Sequence, residues 1–444
     1  MERRTFPGGV HVPHFKELTE HKPIVRAREP KRIVLPLSQH TGAPCEPLVR
    51  EGDQVKLGQK IGASEAFVSA PIHSSVSGTV ASVQPFIHPA LGRQVLSIII
   101  DSDGQDSVHE EVRPKGDYAS FSVDEVKRII REAGIVGLGG AAFPTAVKVS
   151  PPKEKRIDAY ILNGAECEPF LTADHRIMLE RPEDVLYGLK VLMYAVGVQN
   201  GYICIEDNKP DALREMRKVA ANEPSIKVIE LKTRYPQGSE KQIIKAVLNR
   251  EVPPGGLPFD VGVMVSNVGT AAAVADVFKK GLPLVERVVT VTGHALVDQQ
   301  NFQVKIGTLF SDLIDQVGGY KVEPGKIIMG GPMMGIAQMT AEVPVIKGTS
   351  GILVLTRQQA DWGEPSPCIK CAKCVDACPV NLLPVFIGGY AEREMYDVAE
   401  SMNALDCIEC GCCAYVCPAR RPLTQAIRIA KWEINERRRK CGKK

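Results

Sequence analysis

Two cysteine runs of identical spacing lie near the end of the 444-residue chain. The first reads C-I-K-C-A-K-C-V-D-A-C-P from residue 368, and the second C-I-E-C-G-C-C-A-Y-V-C-P from residue 407. Each is C-x2-C-x2-C-x3-C-P, in which three thiolates wrap one [4Fe–4S] cube and the fourth reaches a second cube. On that pattern Cys368, Cys371, Cys374 and Cys417 hold one cluster, and Cys407, Cys410, Cys413 and Cys378 hold the other. Zinc sites use paired C-x2-C ligands; a triple run followed by x3-C-P, met twice, is a different pattern. Cys412 falls off the ligand spacing and reads as a small neighbour. Two clusters in one module form an electron wire, and something must feed it.

A glycine-rich loop is the candidate source. Residues 134–148 read G-I-V-G-L-G-G-A-A-F-P-T-A-V-K. Gly137, Gly139 and Ala142 formally match G-x-G-x-x-G/A, yet that fingerprint must follow a strand and open a helix. Here the loop follows a helix: Ser122 and Glu125 make a capping box, and Val126, Ile129, Ile130 and Ala133 share a face. Backbone amides of such a loop can still approach phosphate, with Lys148 adding a charge. The next predicted strand begins near Asp158 and ends in N-G-A-E-C-E-P-F at 163–170. Ligands in open α/β sheets bind outside the carboxyl ends of strands, which singles out Asn163, Glu166 and Glu168. Cys167, between two acids, is a poor nucleophile. Further strand ends at Arg234/Gly238 and at Asn267 predict one shared crevice.

Composition bounds the rest. The chain is 44% apolar and 24% charged, with net charge +3, which gives no argument for nucleic acid. No apolar run reaches a membrane span's ~18 residues. The opening Met-Glu-Arg-Arg does not read as a signal peptide. Thirteen cysteines beside iron–sulfur motifs point to a reducing compartment without disulfides.

The expected architecture is multidomain α/β. Residues 1–30 read as an extended arm, in which His11 and His14 are surface residues. Residues 31–116 read as short strands and turns, resembling the barrel-sandwich domain of biotinyl and lipoyl carriers but without the carrier lysine. Residues 117–285 alternate strand and helix, a Rossmann-like unit with a mostly parallel sheet. Residues 286–340 read as a β-grasp module whose Met333, Met334 and Met339 are packing residues. Residues 341–360 lead into a cluster domain at 361–444, an α-helical ferredoxin because 28 residues with two helical patterns separate the Cys runs. A basic tail (Arg437 to Lys440, Lys443, Lys444), which also carries Cys441, is a solvated end or a contact for anionic lipid or nucleic acid.

Together these motifs resemble the RnfC family, a component of the Rnf ion-translocating electron-transport complex, over nearly the whole chain. The resemblance rests on T-F-P-G-G-V-H-V-P-H-F-K at 5–16, G-L-G-G-A-A-F-P-T, N-G-A-E-C-E-P and G-G-P-M-M-G-I-A-Q. The central domain is also similar to the flavoprotein subunit of respiratory complex I, where Leu138 replaces an Arg and Ala142 a Gly. The resemblance implies FMN contacts from Gly137, Gly139, Gly140, Lys148, Asn163, Glu166 and Asn267. Phe143 and Glu168 would face NADH, with Tyr235, Gly238 and Glu240 as looser matches. It implies an SLBB-type β-grasp module and a ferredoxin:NAD oxidoreductase subunit with FMN, NAD(H) and two [4Fe–4S] clusters. Such a subunit is peripheral, on the cytoplasmic face of the membrane. Integral-membrane and ferredoxin-like partner subunits perform Na+ or H+ translocation, and nucleic acid is not a partner. A cobalamin reductase of the propanediol microcompartment shares the domain order, although the opening motif favours Rnf. Two rivals of different classes are an electron relay without a nucleotide site and an iron–sulfur nucleic-acid-binding protein.

Overall fold

A computed structural model describes residues 4–361 and 363–441, the Cys441 side chain excepted. Lys443, Lys444 and the Cys441 thiol therefore lie outside the described residues. The central unit is a four-stranded parallel sheet, in the order Ile226–Leu231, Gly201–Glu206, Ala159–Gly164 and Val263–Asn267. Its strands are short apolar runs because both faces are covered. Tyr160, Leu162, Ile203, Ile205 and Met264 face one core. Ile161, Cys204, Val263 and Val265 face another, built with Ile243, Ile244 and Val247 of the helix Glu240–Leu248. On the first face, the helices Pro182–Val196 and Val268–Lys280 cross closely. A side chain at Gly188 would meet the Ala271 carbonyl oxygen at 1.8 Å, so only glycine allows that crossing. The helix Val123–Glu132 begins at Ser122 with both capping-box hydrogen bonds to Glu125, as expected.

The N-terminal strands form two small sheets. One contains Arg32–Pro36, Gln94–Ser102, Gly78–Ile87 and Gln54–Val55; the other contains Glu46–Pro47, Lys60–Ala63 and Ile72–His73. A loop of this barrel-sandwich clasps the glycine-rich loop: Thr41 donates from its hydroxyl to Ala141 O (2.9 Å) and from its amide to Ala142 O (3.1 Å).

The β-grasp region departs from the 286–340 expectation. Its sheet has six strands, ordered Ile24–Arg26, Gln300–Lys305, Glu286–Thr292, Gly351–Thr356, Pro324–Met329 and Ile336–Gln338. The arm thus supplies an edge strand, paired in parallel with Gln300–Lys305. Residues 351–356 are an interior strand rather than a lead-in: G-I-L-V-L-T is apolar and buried from Gly351 to Leu355. The methionine reading also needs correction. Met339 is 98% exposed, and half-exposed Met334 lines a cleft; Met333 alone packs into a core.

The cysteine-rich end is helical. Pro384–Ala391, Tyr396–Ser401 and Leu423–Cys441 pack through Ile387, Ala391, Ala399, Ile427, Ala430 and Ile434. Arg437 to Lys440 of the basic stretch lie in the last turns of the third helix, where Arg437 pairs with Asp397, Arg438 with Glu400 and Arg439 with Glu436. Among the described residues no helix is long and apolar enough to cross a membrane.

Candidate cofactor cleft and cysteine-rich centre

Asn163 and Asn267 end neighbouring parallel strands in direct register. Parallel pairing brings both side chains to the carboxyl edge, where a cavity of about 250 Å³ opens. Asn163 Nδ2 donates to Gly238 O (2.7 Å), tying down the loop at 234–239. Asn267 Oδ1 accepts from the Gly269 and Thr270 amides, capping the helix Val268–Lys280. Its Nδ2 donates to the Asp174 carboxylate. Burial, then the neighbouring Glu166, push the Asp174 carboxyl upward.

The segment after Asn163 is held by two buried lysines. Lys16, from the arm, donates to the carbonyls of Glu166 (2.9 Å), Glu168 (3.0 Å) and Leu171 (2.5 Å). Lys209 donates to Ala165 O (2.7 Å) and pairs with Glu206 (3.4 Å). Buried ammonium groups need such partners, so these carbonyls fix the course of the segment. The Glu166 carboxylate accepts from the Asp174 (2.7 Å) and His175 (3.1 Å) amides at the start of the helix Ala173–Glu180. The Glu168 carboxylate accepts from the Met333 (3.0 Å) and Met334 (2.8 Å) amides of the β-grasp loop. Burial raises its carboxyl to about 7. The Cys167 thiol is also pushed up, by burial first and by Glu206 and Glu168 next.

Of the residues singled out from sequence, Gly139, Asn163, Glu166, Glu168 and Asn267 line this cleft, with Tyr235 and Gly238. The others point elsewhere. Gly137 donates its amide to Phe143 O (2.9 Å), closing the base of the glycine loop. Gly140, at φ +109°, turns to a second cavity of about 710 Å³ beside the barrel-sandwich. Phe143 is half-buried and outside the cleft lining. Lys148 is engaged by Glu240 and by Val265 O (2.7 Å). Leu138 forms an apolar wall; Thr270 Oγ1 accepts its amide (2.9 Å), and buried Arg287 donates to its carbonyl (3.2 Å).

Sequence reasoning missed Asp174, Met334, Ile408 and Cys410, which also line the cleft. Asp174 left a weak signal as an acid in a helix's first turn. Ile408 and Cys410 left none, because only tertiary packing brings them to the sheet edge.

The cysteine centre fits the donor pattern. Cys374 lies close enough to Cys368 and Cys417 for electrostatic coupling, and Cys413 to Cys407, Cys410 and Cys378. Cys417 and Cys378 thus each lie near cysteines of the opposite run. Backbone amides donate to the sulfurs of Cys368 (from Lys370, 3.4 Å), Cys407 (from Glu409, 3.4 Å) and Cys378 (from Leu382, 3.3 Å). Such bonds satisfy charged sulfur and tune cluster potential. Lys370, Ala372, Glu409 and Gly411 have positive φ, which curls each loop. Among the described residues no three His, Cys, Asp or Glu side chains converge on a single-ion position; each cysteine of a cube binds a different iron. Cys412 is fully buried, its thiol toward Tyr235 O (3.9 Å) and close to Cys410, Cys413 and Cys378. The cleft also fits a flavin: a glycine backbone, polar strand ends and an apolar wall meet at the carboxyl edge of a parallel sheet.

Residues 4–105 match the RnfC barrel sandwich hybrid domain, 130–276 the Nuo51 FMN-binding domain, 288–337 the SLBB domain and 360–418 a 4Fe-4S dicluster domain. The chain is 50% identical over 440 residues to the C subunit of the Na(+)-translocating ferredoxin:NAD(+) oxidoreductase complex of Acetobacterium woodii, covering 99% of both chains. The chain belongs to the RnfC family, the C subunits of ion-translocating oxidoreductase complexes. Another relative in this family is the C subunit of the proton-translocating ferredoxin:NAD(+) oxidoreductase complex of Clostridium ljungdahlii. It is 47% identical over 431 residues, 97% of this chain and 94% of the relative. A solved NAD+-reducing [NiFe]-hydrogenase chain overlays with a TM-score of 0.48 at 16% identity, covering 66% of this chain and 56% of that one.

Proposed function

We propose that this chain passes electrons between NAD(H) and two [4Fe–4S] clusters through an FMN seated in the cleft, as a peripheral subunit of a membrane-bound ferredoxin:NAD oxidoreductase. One observation carries the reading. The same cleft is lined by Asn163, Glu166 and Asn267 on the sheet side and by Ile408 and Cys410 on the cysteine-rich side. When bound, FMN exchanges a hydride with the dinucleotide and single electrons with the clusters.

The protein's part is binding and placement. Gly139 leaves room for close approach, and Asn163 and Asn267 present polar groups at the sheet edge. Glu166, itself anchored on helix amides, presents carboxylate oxygens. Leu138, Leu171 and Tyr235 supply apolar surface that excludes water. Lys148 would reach a phosphate only by leaving Glu240. The cluster held by Cys378, Cys407, Cys410 and Cys413 is the one beside the cleft. Cys368, Cys371, Cys374 and Cys417 would hold the other cluster, with Cys371 exposed. That cluster would exchange electrons with ferredoxin-like and integral-membrane partner subunits, which perform Na+ or H+ translocation. The chain sits with them on the cytoplasmic face of the membrane.

The family relationship favours this reading over a cobalamin reductase. Anaerobic titration of protein carrying FMN and both clusters with NADH should bleach flavin and cluster absorbance together. Intact clusters that NADH leaves oxidised would instead indicate a relay without a nucleotide site. Flavin affinity should fall with Gly139→Val and Glu166→Gln; unchanged affinity in both would remove the cleft assignment.

A further inference from the structure

Tyr235 stands beside Ile408 and Cys410 in the wall where the cleft meets the cysteine centre. It is 2% exposed and lines the cleft, and its hydroxyl donates to the Cys410 carbonyl oxygen at 2.8 Å. Its backbone is clamped by the N-terminal arm: Val10 N donates to Tyr235 O (2.8 Å) and Tyr235 N to Val10 O (2.9 Å). Immediately before Val10, Gly8 and Gly9 take φ of +77° and +76°. A Cβ on Gly8 would lie 2.8 Å from Cys378 O, and one on Gly9 would lie 2.5 Å from Tyr235 O. Gly9 N also donates to Ala377 O (3.0 Å). The arm is therefore a strap threaded between the Tyr235 segment and the Cys378 loop. Glycine is required there by both backbone conformation and space.

We propose that Tyr235, held by the Gly8–Gly9 strap, is a positioning residue that sets the reduction potential of the cluster held by Cys378, Cys407, Cys410 and Cys413. The inference rests on the flavin and cluster reading above. A cluster gains one negative charge on reduction. A hydroxyl proton aimed at the carbonyl of its ligand Cys410 offsets negative potential there and favours the reduced state. The ring also keeps water out of that wall, a second lever on potential. As NADH becomes NAD+ it releases two electrons and one proton, and each of the two clusters takes one electron. The Tyr235 donor eases the step nearer the cleft and leaves the other cluster unaffected.

The test is an anaerobic redox titration followed by EPR, on protein carrying FMN and both clusters. Tyr235→Phe removes only the hydroxyl. One cluster's midpoint should move to more negative potential while the other stays, and at a fixed NADH/NAD+ ratio the reduced fraction of that cluster should fall several-fold. Site-specific 3-fluorotyrosine at 235, a stronger donor, should move the same midpoint the opposite way, and it serves should Tyr235→Phe lose a cluster. Unshifted midpoints in either protein, or equal shifts of both clusters, would overturn the proposal while leaving the flavin reading intact. Wild-type protein that binds no flavin or fewer than two clusters would overturn both.

Discussion

Asn163 and Asn267 are register partners on adjacent parallel strands, and each uses its side chain to hold a different wall of one cleft. Asn163 restrains Gly238, while Asn267 caps a helix and orients Asp174. Replacing a side-chain cap with Ala costs about 1 kcal/mol. Asn267→Ala should lose roughly that stability in chemical denaturation and retain less flavin on purification. Asn267→Asp, which can still cap, should regain the cap but neither the full stability nor the flavin, because it loses the hydrogen bond to Asp174 and faces it with a like charge. Full flavin retention by Asn267→Ala would show that the residue is only a cap.

Lys16 is the arm's deepest anchor. It is 3% exposed and donates to three carbonyls of the 166–171 segment. Each orphaned buried acceptor costs about 1–3 kcal/mol. Lys16→Met should therefore destabilise the protein by at least about 3 kcal/mol, from the same arithmetic. Protease should also cut sooner within 163–171. A near-neutral denaturation midpoint would contradict the anchoring.

The Glu168 carboxyl, raised by burial from 4.5 to about 7, makes stability depend on pH. Between those values the folded protein holds a proton that the unfolded chain has released. Stability then falls as pH rises through that window and levels off above it. Urea denaturation at pH 5, 6, 7 and 8 should show this decline, and Glu168→Gln should flatten it. An unchanged slope in Glu168→Gln would assign the decline to other groups, with Asp174 the first to examine.

Cys412 and Cys413 are adjacent, buried, and opposite in expected role. Cys412→Ala should keep the full iron and sulfide content. Cys413→Ala and Cys378→Ala should each lose about half of the iron, one of the two clusters. Iron assay with EPR of the reduced protein separates these outcomes. Loss of iron in Cys412→Ala would make the off-pattern cysteine a ligand.

Much was legible in the chain because it is local. The C-x2-C-x2-C-x3-C-P spacing carries its chemistry in a dozen residues, and the strand before Asn163 is announced by its apolar run. The Ser122–Glu125 cap spans a single turn. Lys148 is the converse case. A lysine after a glycine loop looks available to phosphate, and only the packing of the helix Glu240–Leu248 brings Glu240 to engage it. The strand Gly351–Thr356 is not legible in the chain because its partners, Glu286–Thr292 and Pro324–Met329, are earlier segments that reveal their pairing only in the sheet.

By itself the sequence determined the cofactor chemistry: two C-x2-C-x2-C-x3-C-P runs, a glycine loop and polar strand ends. Tertiary structure alone decided that Ile408 and Cys410 adjoin the cleft, that Tyr235 packs beside them, and that two glycines of the arm lock that wall. Ligand spacing and strand periodicity are written within a few residues. The contact of Tyr235 with Cys410 joins positions 175 apart and exists only once separate cores have packed together.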